Sequence, residues 1–163
     1  MAPSGVNKGQ IAPAQLVIVD EQQNVIDGEG RASAETALHI EIIKKLKCSA
    51  VLHTHSIYAT VLSDYFEKQA AIRLEGWEML KGIKGISTHE TSIDIPIVAN
   101  NQDMKELSRV VYTYLNGNIP GILVAGHGLY AWGDSLAEAQ RHVEILEFLF
   151  SATWHKQLLP RVR

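Results

Sequence analysis

The chain is short of cysteine, of net charge and of long apolar runs, and each shortage removes a class of function. One cysteine, Cys48, among 163 residues excludes an intramolecular disulfide and suits a reducing compartment. Cys48 precedes an apolar run, so it reads as a small buried hydrophobe rather than a nucleophile. No stretch approaches the roughly 20 apolar residues of a membrane span, and the first residues lack a signal-peptide core. A soluble, cytoplasmic protein is expected. Lys and Arg total 15 against 18 Asp and Glu, a net charge of -3. With the two signs interspersed, there is no footprint for nucleic acid or an anionic membrane. Internal repeats and low-complexity tracts are also missing.

What is present is 46% hydrophobic residues, enough for one domain over residues 1–163 with a substantial core. Residues 1–14, with two prolines and two glycines, read as a loop. Leu16 to Asp20 reads as a strand, and Val25-Ile26 as a shorter extended piece ended by Gly28-Glu29-Gly30. Ser33 is a good N-cap for a helix over Ala34 to Leu46. A strand runs through Ser49 to Leu52 into His53, and a short helix spans Ile57 to Ser63. The stretch from Arg73 to Ser87 is punctuated by glycine and reads as irregular. Ile93 to Val98 is a strand, and Asp103 caps a helix to about Leu115. Gly121 to Ala125 and Leu129 to Trp132 are strands, with Tyr130 and Trp132 as alternating strand residues. Ser135 starts a long amphipathic helix with Leu136, Ala139, Val143, Leu146, Phe150 and Trp154 on one face. The class is α/β or α+β, with a mixed sheet covered by helices.

The strongest local signal is His53-Thr54-His55 at a strand end. Strand alternation puts residues i and i+2 on one side, so both imidazoles can address one point. His127, between Gly126 and Gly128 after another strand, supplies a third. Three imidazoles with an open position are an arrangement that catalytic zinc uses. Three hydrogen-bonded structural histidines are the plainer alternative. His89 is either a further ligand or a surface histidine, and His39, His142 and His155 suggest no chemistry.

Five segments occur in an order that resembles the class II aldolase/adducin family. They are Ala2-Pro3-Ser4-Gly5-Val6, Ser33-Ala34-Glu35-Thr36, His53-Thr54-His55-Ser56, Glu78-Met79-Leu80-Lys81-Gly82 and the Gly126 to Gly133 run. Trp77 to Gly82 and Thr88-His89-Glu90-Thr91 most resemble the methylthioribulose-1-phosphate dehydratase branch. The resemblance implies a three-layer αβα domain with a mixed central sheet. It also implies one Zn2+ per subunit on His53, His55 and His127, and a homotetramer with active sites at subunit interfaces. Imidazole alone does not separate Zn2+ from Fe2+, Mn2+ or Co2+.

The implied reaction removes water from 5-methylthioribulose 1-phosphate to give a diketo phosphate in methionine salvage, by Lewis-acid and general acid–base catalysis. Glu78 would be the acid/base, in an apolar pocket beside Trp77 and Met79 that raises its pKa; otherwise it is a solvated loop glutamate. Glu35 is expected in the substrate site, as an acid/base able to approach the metal or as a first-turn glutamate favoured by the helix dipole. Ser4, Gly5 and Ser33 are the expected phosphate-binding groups, with Lys8 adding charge. Family members carry a further N-terminal segment with a Gly-Asn-x-Ser loop, which this chain is expected to lack. Two other readings share parts of this pattern. One is an aldolase or epimerase on a different sugar phosphate, and the other a non-catalytic, adducin-like interaction module.

Overall fold

The computed structural model describes residues 1–7 and 10–160. A short strand, β1 (Ile18–Val19), pairs antiparallel with β2 (Val25–Asp27). Then follow α1 (Thr36–Leu46), β3 (Ala50–Thr54), α2 (Ile57–Tyr65), β4 (Ala71–Glu75), β5 (Ser92–Val98) and α3 (Met104–Tyr114). The chain continues through β6 (Gly121–Val124), β7 (Gly128–Gly133) and α4 (Leu136–Leu158). The five long strands form one sheet in the order β3-β7-β6-β5-β4. Only β5 and β6 run parallel, so the sheet is mixed.

Strand alternation sorts the core into two halves. Ile122, Val124, Tyr130 and Trp132 face one side, where Leu38 and Ile42 of α1 and Leu107 and Val111 of α3 cover them. Leu123, Leu129 and Ala131 face the other, against Ala59 and Leu62 of α2 and Leu146, Leu149 and Phe150 of α4. The result is the expected three-layer αβα arrangement, with β6 and β7 buried at every residue. Removing the Phe150 side chain would cost about 3–5 kcal/mol, as for other large buried aromatics. Among the described residues, no helix is long and apolar enough to cross a membrane.

Helix starts follow their caps. Asp103 accepts from the Lys105 and Glu106 amides, and Ser135 from the Glu138 amide, as their positions predict. Three expectations are corrected. Ser33 does not cap α1: the helix begins at Thr36, and Glu35 occupies the cap position without a capping hydrogen bond. The stretch after Arg73 is not wholly irregular, because Ala71–Glu75 is an edge strand with Ile72 and Leu74 inward. Leu136 is exposed at the start of α4, whose buried face runs through Ala139, His142, Ile145, Leu146, Leu149 and Phe150. Cys48 is buried as expected, and that burial pushes its thiol pKa up.

Gly128 is dictated by proximity. A Cβ on Gly128 would collide with the Thr54 carbonyl and lie 3.2 Å from the His55 ring. Gly128→Ala should therefore destabilise the domain by about 2 kcal/mol, the scale of overpacking a tight site. Gly117→Ala, where nothing lies within 4 Å of the added carbon, should leave the denaturation midpoint close to wild type. Equal midpoints for the two variants would refute the close-approach account.

Candidate metal centre

The three histidines reach one point from two places in the fold. His53 lies near the end of β3, paired in register with Tyr130 of β7. Its Nδ1 sits 2.8 Å from the Leu129 carbonyl oxygen. A carbonyl only accepts, so Nδ1 carries the proton and the Nε2 lone pair points into the site. His55 occupies the joint between β3 and α2, directly before Ser56, whose hydroxyl caps α2 by accepting from the Ala59 amide. His127 stands in the turn between β6 and β7, where Gly126 has φ +60° and the His127 amide donates to the Val124 carbonyl at 3.0 Å. The His55 Nε2 is 2.7 Å from the His53 Nε2 and 3.1 Å from the His127 Nε2. Side-chain exposure rises from 4% at His53 to 23% at His127 and 55% at His55, so the site opens towards His55.

Glu35 completes the group. Its Oε1 lies 3.3 Å from His53 Nε2, 3.4 Å from His127 Nε2 and 3.8 Å from His55 Nε2. This position is the one expected of a glutamate able to approach a metal, and it also stands at the N-terminus of α1. Its side chain leaves the helix end uncapped and turns to the histidines. One ligand atom from each of Glu35, His53, His55 and His127 falls within 4.8 Å of the others. Ligands about 2.1 Å from one tetrahedral ion stand roughly 3.4 Å apart, and the observed separations bracket that value. Imidazole nitrogens and a carboxylate oxygen suit a divalent transition ion.

Tyr130 is a component that the sequence did not reveal. Its ring stacks on His53 at 3.9 Å and 14°, with the edge of His39 at 5.5 Å. It is wholly buried, and burial, aided by the nearby Glu35 charge, pushes its phenol well above the ordinary range. The neutral phenol ring is thus a flat, rigid support for one imidazole. The signal is the pairing of positions 53 and 130 across two strands, which becomes visible only once the strand order is known.

The other expected site residues divide. The Pro3 turn bridges to Ala32, and the Ser4 amide donates to the Arg31 carbonyl at 2.8 Å. This brings the Ser4-Gly5 turn beside the segment carrying Ser33, whose hydroxyl accepts from the Glu35 amide at 3.4 Å. Lys8 lies outside the described residues. Glu78 stands outside the group formed by Glu35 and the histidines. Its carboxylate is exposed and pairs with Lys81 at 2.7 Å and with the His89 Nδ1 at 3.3 Å. The expected apolar pocket is therefore corrected: the hydrogen bond from Lys81 holds the Glu78 pKa below its ordinary value, with His89 adding to the effect. His89 itself is an exposed partner of Glu78 and is not in the metal group.

The family model for the class II aldolase and adducin N-terminal domain matches residues 1–154. The methylthioribulose-1-phosphate dehydratase of Stenotrophomonas maltophilia (strain K279a) is 44% identical over 149 residues, 90% of this chain and 70% of that protein. The enzyme of the same name from Xanthomonas campestris pv. campestris (strain 8004) is 43% identical over 148 residues, 90% of this chain and 68% of its own. Among solved structures, an L-fuculose 1-phosphate aldolase superposes with TM-score 0.75 at 25% identity, covering 99% of this chain and 71% of that one. YgbL of Escherichia coli shares the fold, with TM-score 0.78 at 23% identity over 94% of this chain and 70% of that one. The chain belongs to the class II aldolase and adducin N-terminal domain family.

Proposed function

We propose that this chain is a metal-dependent hydro-lyase that converts 5-methylthioribulose 1-phosphate to 2,3-diketo-5-methylthiopentyl 1-phosphate in methionine salvage. The observation that carries this reading is the 44% identity to a dehydratase of that name across 90% of the chain. The convergence of Glu35, His53, His55 and His127 supplies what the chemistry requires. Zn2+ is the ion we assign, on the grounds of the imidazole-rich donor set and the opening on the His55 side. When bound, it would supply Lewis acidity to the ketose carbonyl and so acidify the neighbouring C3 proton.

The chain's own groups do the rest. Glu78 is the acid/base: ionised in the resting protein, it takes the proton from C3. The same proton, or one exchanged with water, then leaves with the C4 hydroxyl as water. The enol so formed at C3–C4 becomes the diketone by taking a proton on C4. With its pKa held below the ordinary value, Glu78 starts ionised and so acts first as base, becoming the acid only after it has taken the C3 proton. Ser4, Gly5 and Ser33 form the phosphate end of the site, supported by the hydrogen bond that sets the 3–5 turn beside residues 31–33. Glu35 belongs to the metal group, on the strength of its distances to the three imidazoles.

A homotetramer with sites near subunit contacts is part of the proposal. Its support is a stripe of exposed apolar residues on α2, Ile57, Val61 and Tyr65, which starts two positions after His55. Such a stripe is unusual on an isolated surface helix. Cytoplasmic location is proposed on the basis of the lone, buried Cys48.

Metal content and turnover of the purified chain test the reading together. The expected result is about one zinc per chain and accumulation of the diketone from 5-methylthioribulose 1-phosphate. Release of a small aldehyde from a different sugar phosphate would establish an aldolase in its place. His55→Ala should strip the chain of metal. Glu78→Gln should keep the metal and slow turnover by about 10²–10⁴-fold, the usual contribution of a general acid–base group. Near-normal rates in Glu78→Gln would remove it from the mechanism.

The pH dependence follows from the Lys81 contact. Removing that ammonium in Lys81→Met lets the Glu78 pKa rise towards its ordinary value. Protonation of the base then sets in at higher pH, so the acidic limb of the kcat/KM profile moves upward. An unmoved limb would show that Glu78 is not the titrating base.

A further inference from the structure

Helix α2 carries two hydroxyls that serve no capping role and are spent on the turn holding His127. The Thr60 Oγ1 donates to the His127 carbonyl at 3.0 Å. The Ser63 Oγ accepts from the Gly126 amide at 3.1 Å and donates to the Thr60 carbonyl at 3.0 Å. Ser63 is wholly buried, beside Leu62 of the core. A hydroxyl in such a place is costly unless its hydrogen bonds are made, and alanine would fill the position without that cost. Both partners of Ser63 are present, and one of them is an amide of the histidine turn.

The helix that makes this clasp begins at Ile57, two residues after His55. His55 thus leads directly into the helix whose later residues Thr60 and Ser63 hold the His127 turn. Their Nε2 atoms meet at 3.1 Å across a turn whose own backbone is held by Gly126 and by the bond from the His127 amide to Val124. We infer that Thr60 and Ser63 are positioning residues, which set His127 relative to His55 through hydrogen bonds to the 126–127 backbone rather than through contact with the ion or substrate. The inference rests on the metal reading above.

The test uses Thr60→Val and Ser63→Ala in the full chain, with Thr60→Ser as the variant that restores the hydroxyl. Two quantities are read: the Zn2+ dissociation constant by chelator competition, and hydrogen exchange at the Gly126 and His127 amides without metal. The expected result is a loss of Zn2+ affinity of about tenfold or more, the range for groups that orient metal ligands. Faster exchange at both amides should accompany it, and Thr60→Ser should recover both. Wild-type affinity and wild-type exchange, with only a lower melting temperature, would overturn the inference and leave the hydroxyls as ordinary packing. If wild-type protein takes up no Zn2+, the metal reading fails. The clasp is then judged by exchange alone, where unchanged rates refute it. Should Ser63→Ala fail to fold, the half-buried Thr60 decides the question through its Val and Ser variants.

Discussion

The site depends on the close approach of β7 to the end of β3. The register that pairs Ala50 with Gly133 and Thr54 with Leu129 brings the Gly128 backbone against the Thr54 carbonyl, where a side-chain carbon would not fit. That approach sets His127, at the entrance of β7, beside His55, just beyond β3. Both histidine segments are strand ends, and their spacing is inherited from the hydrogen-bond ladder of the sheet. A shift of one residue would send His53 to the opposite face, where α2 and α4 pack. The catalytic geometry is therefore a consequence of sheet register before it is a property of any loop.

The two faces of the sheet do different work at this point. Thr54, one residue after His53, points to the α4 side and donates to Glu147 at 2.7 Å. His53 points to the α1 side, where α1 delivers Glu35 to the histidines. On the same face lies Tyr130, large, neutral and stacked on the His53 ring. It shields one face of the imidazole and leaves the Nε2 edge as the direction in which His53 can act. The contrast with Glu78 is electrostatic as well as spatial. Glu35 has 16% side-chain exposure, whereas Glu78 has 69% and shares its charge with Lys81 and His89. A sheltered carboxylate suits a fixed position among imidazoles, whereas that of Glu78 keeps its charge in solvent beside Lys81 and His89.

The parts of this architecture that were legible in the sequence are those fixed by short-range rules. Strand alternation put His53 and His55 within reach of one point, and the glycines around His127 marked its turn. Asp103 and Ser135 announced their helices because a cap is a contact within four residues. The edge strand β4 is weakly marked in the sequence: Ile72-Arg73-Leu74-Glu75 alternates, but the glycines that follow carry a loop signal. Other features needed the assembled fold. Tyr130 supports His53 only because residues far apart in the chain are paired across two strands. Glu35 looked equally suited to a helix dipole or a metal, and its orientation depends on where α1 crosses the sheet. The environment of Glu78 likewise depends on local backbone geometry. Trp77 and Met79 are neighbours in sequence, yet the 3-10 turn over Glu78–Gly82 sends the carboxylate outward to Lys81.

These constraints hold each candidate ligand by contacts within the protein. His53 is fixed by the Leu129 carbonyl and by a ring beneath it, His127 by its turn and the helix beside it, and His55 by a strand end followed by a capped helix. An ion that meets ligands already in position loses little affinity to ordering the chain. The ordering cost is instead met in folding, which brings the three imidazoles and the Glu35 carboxylate to one place. Such a group is stabilised in its native arrangement by whatever cation binds it, because binding to the folded state alone shifts the folding equilibrium. The sheet thus holds the candidate ligands in place, so that the affinity for any cation bound there would be tied to register and packing.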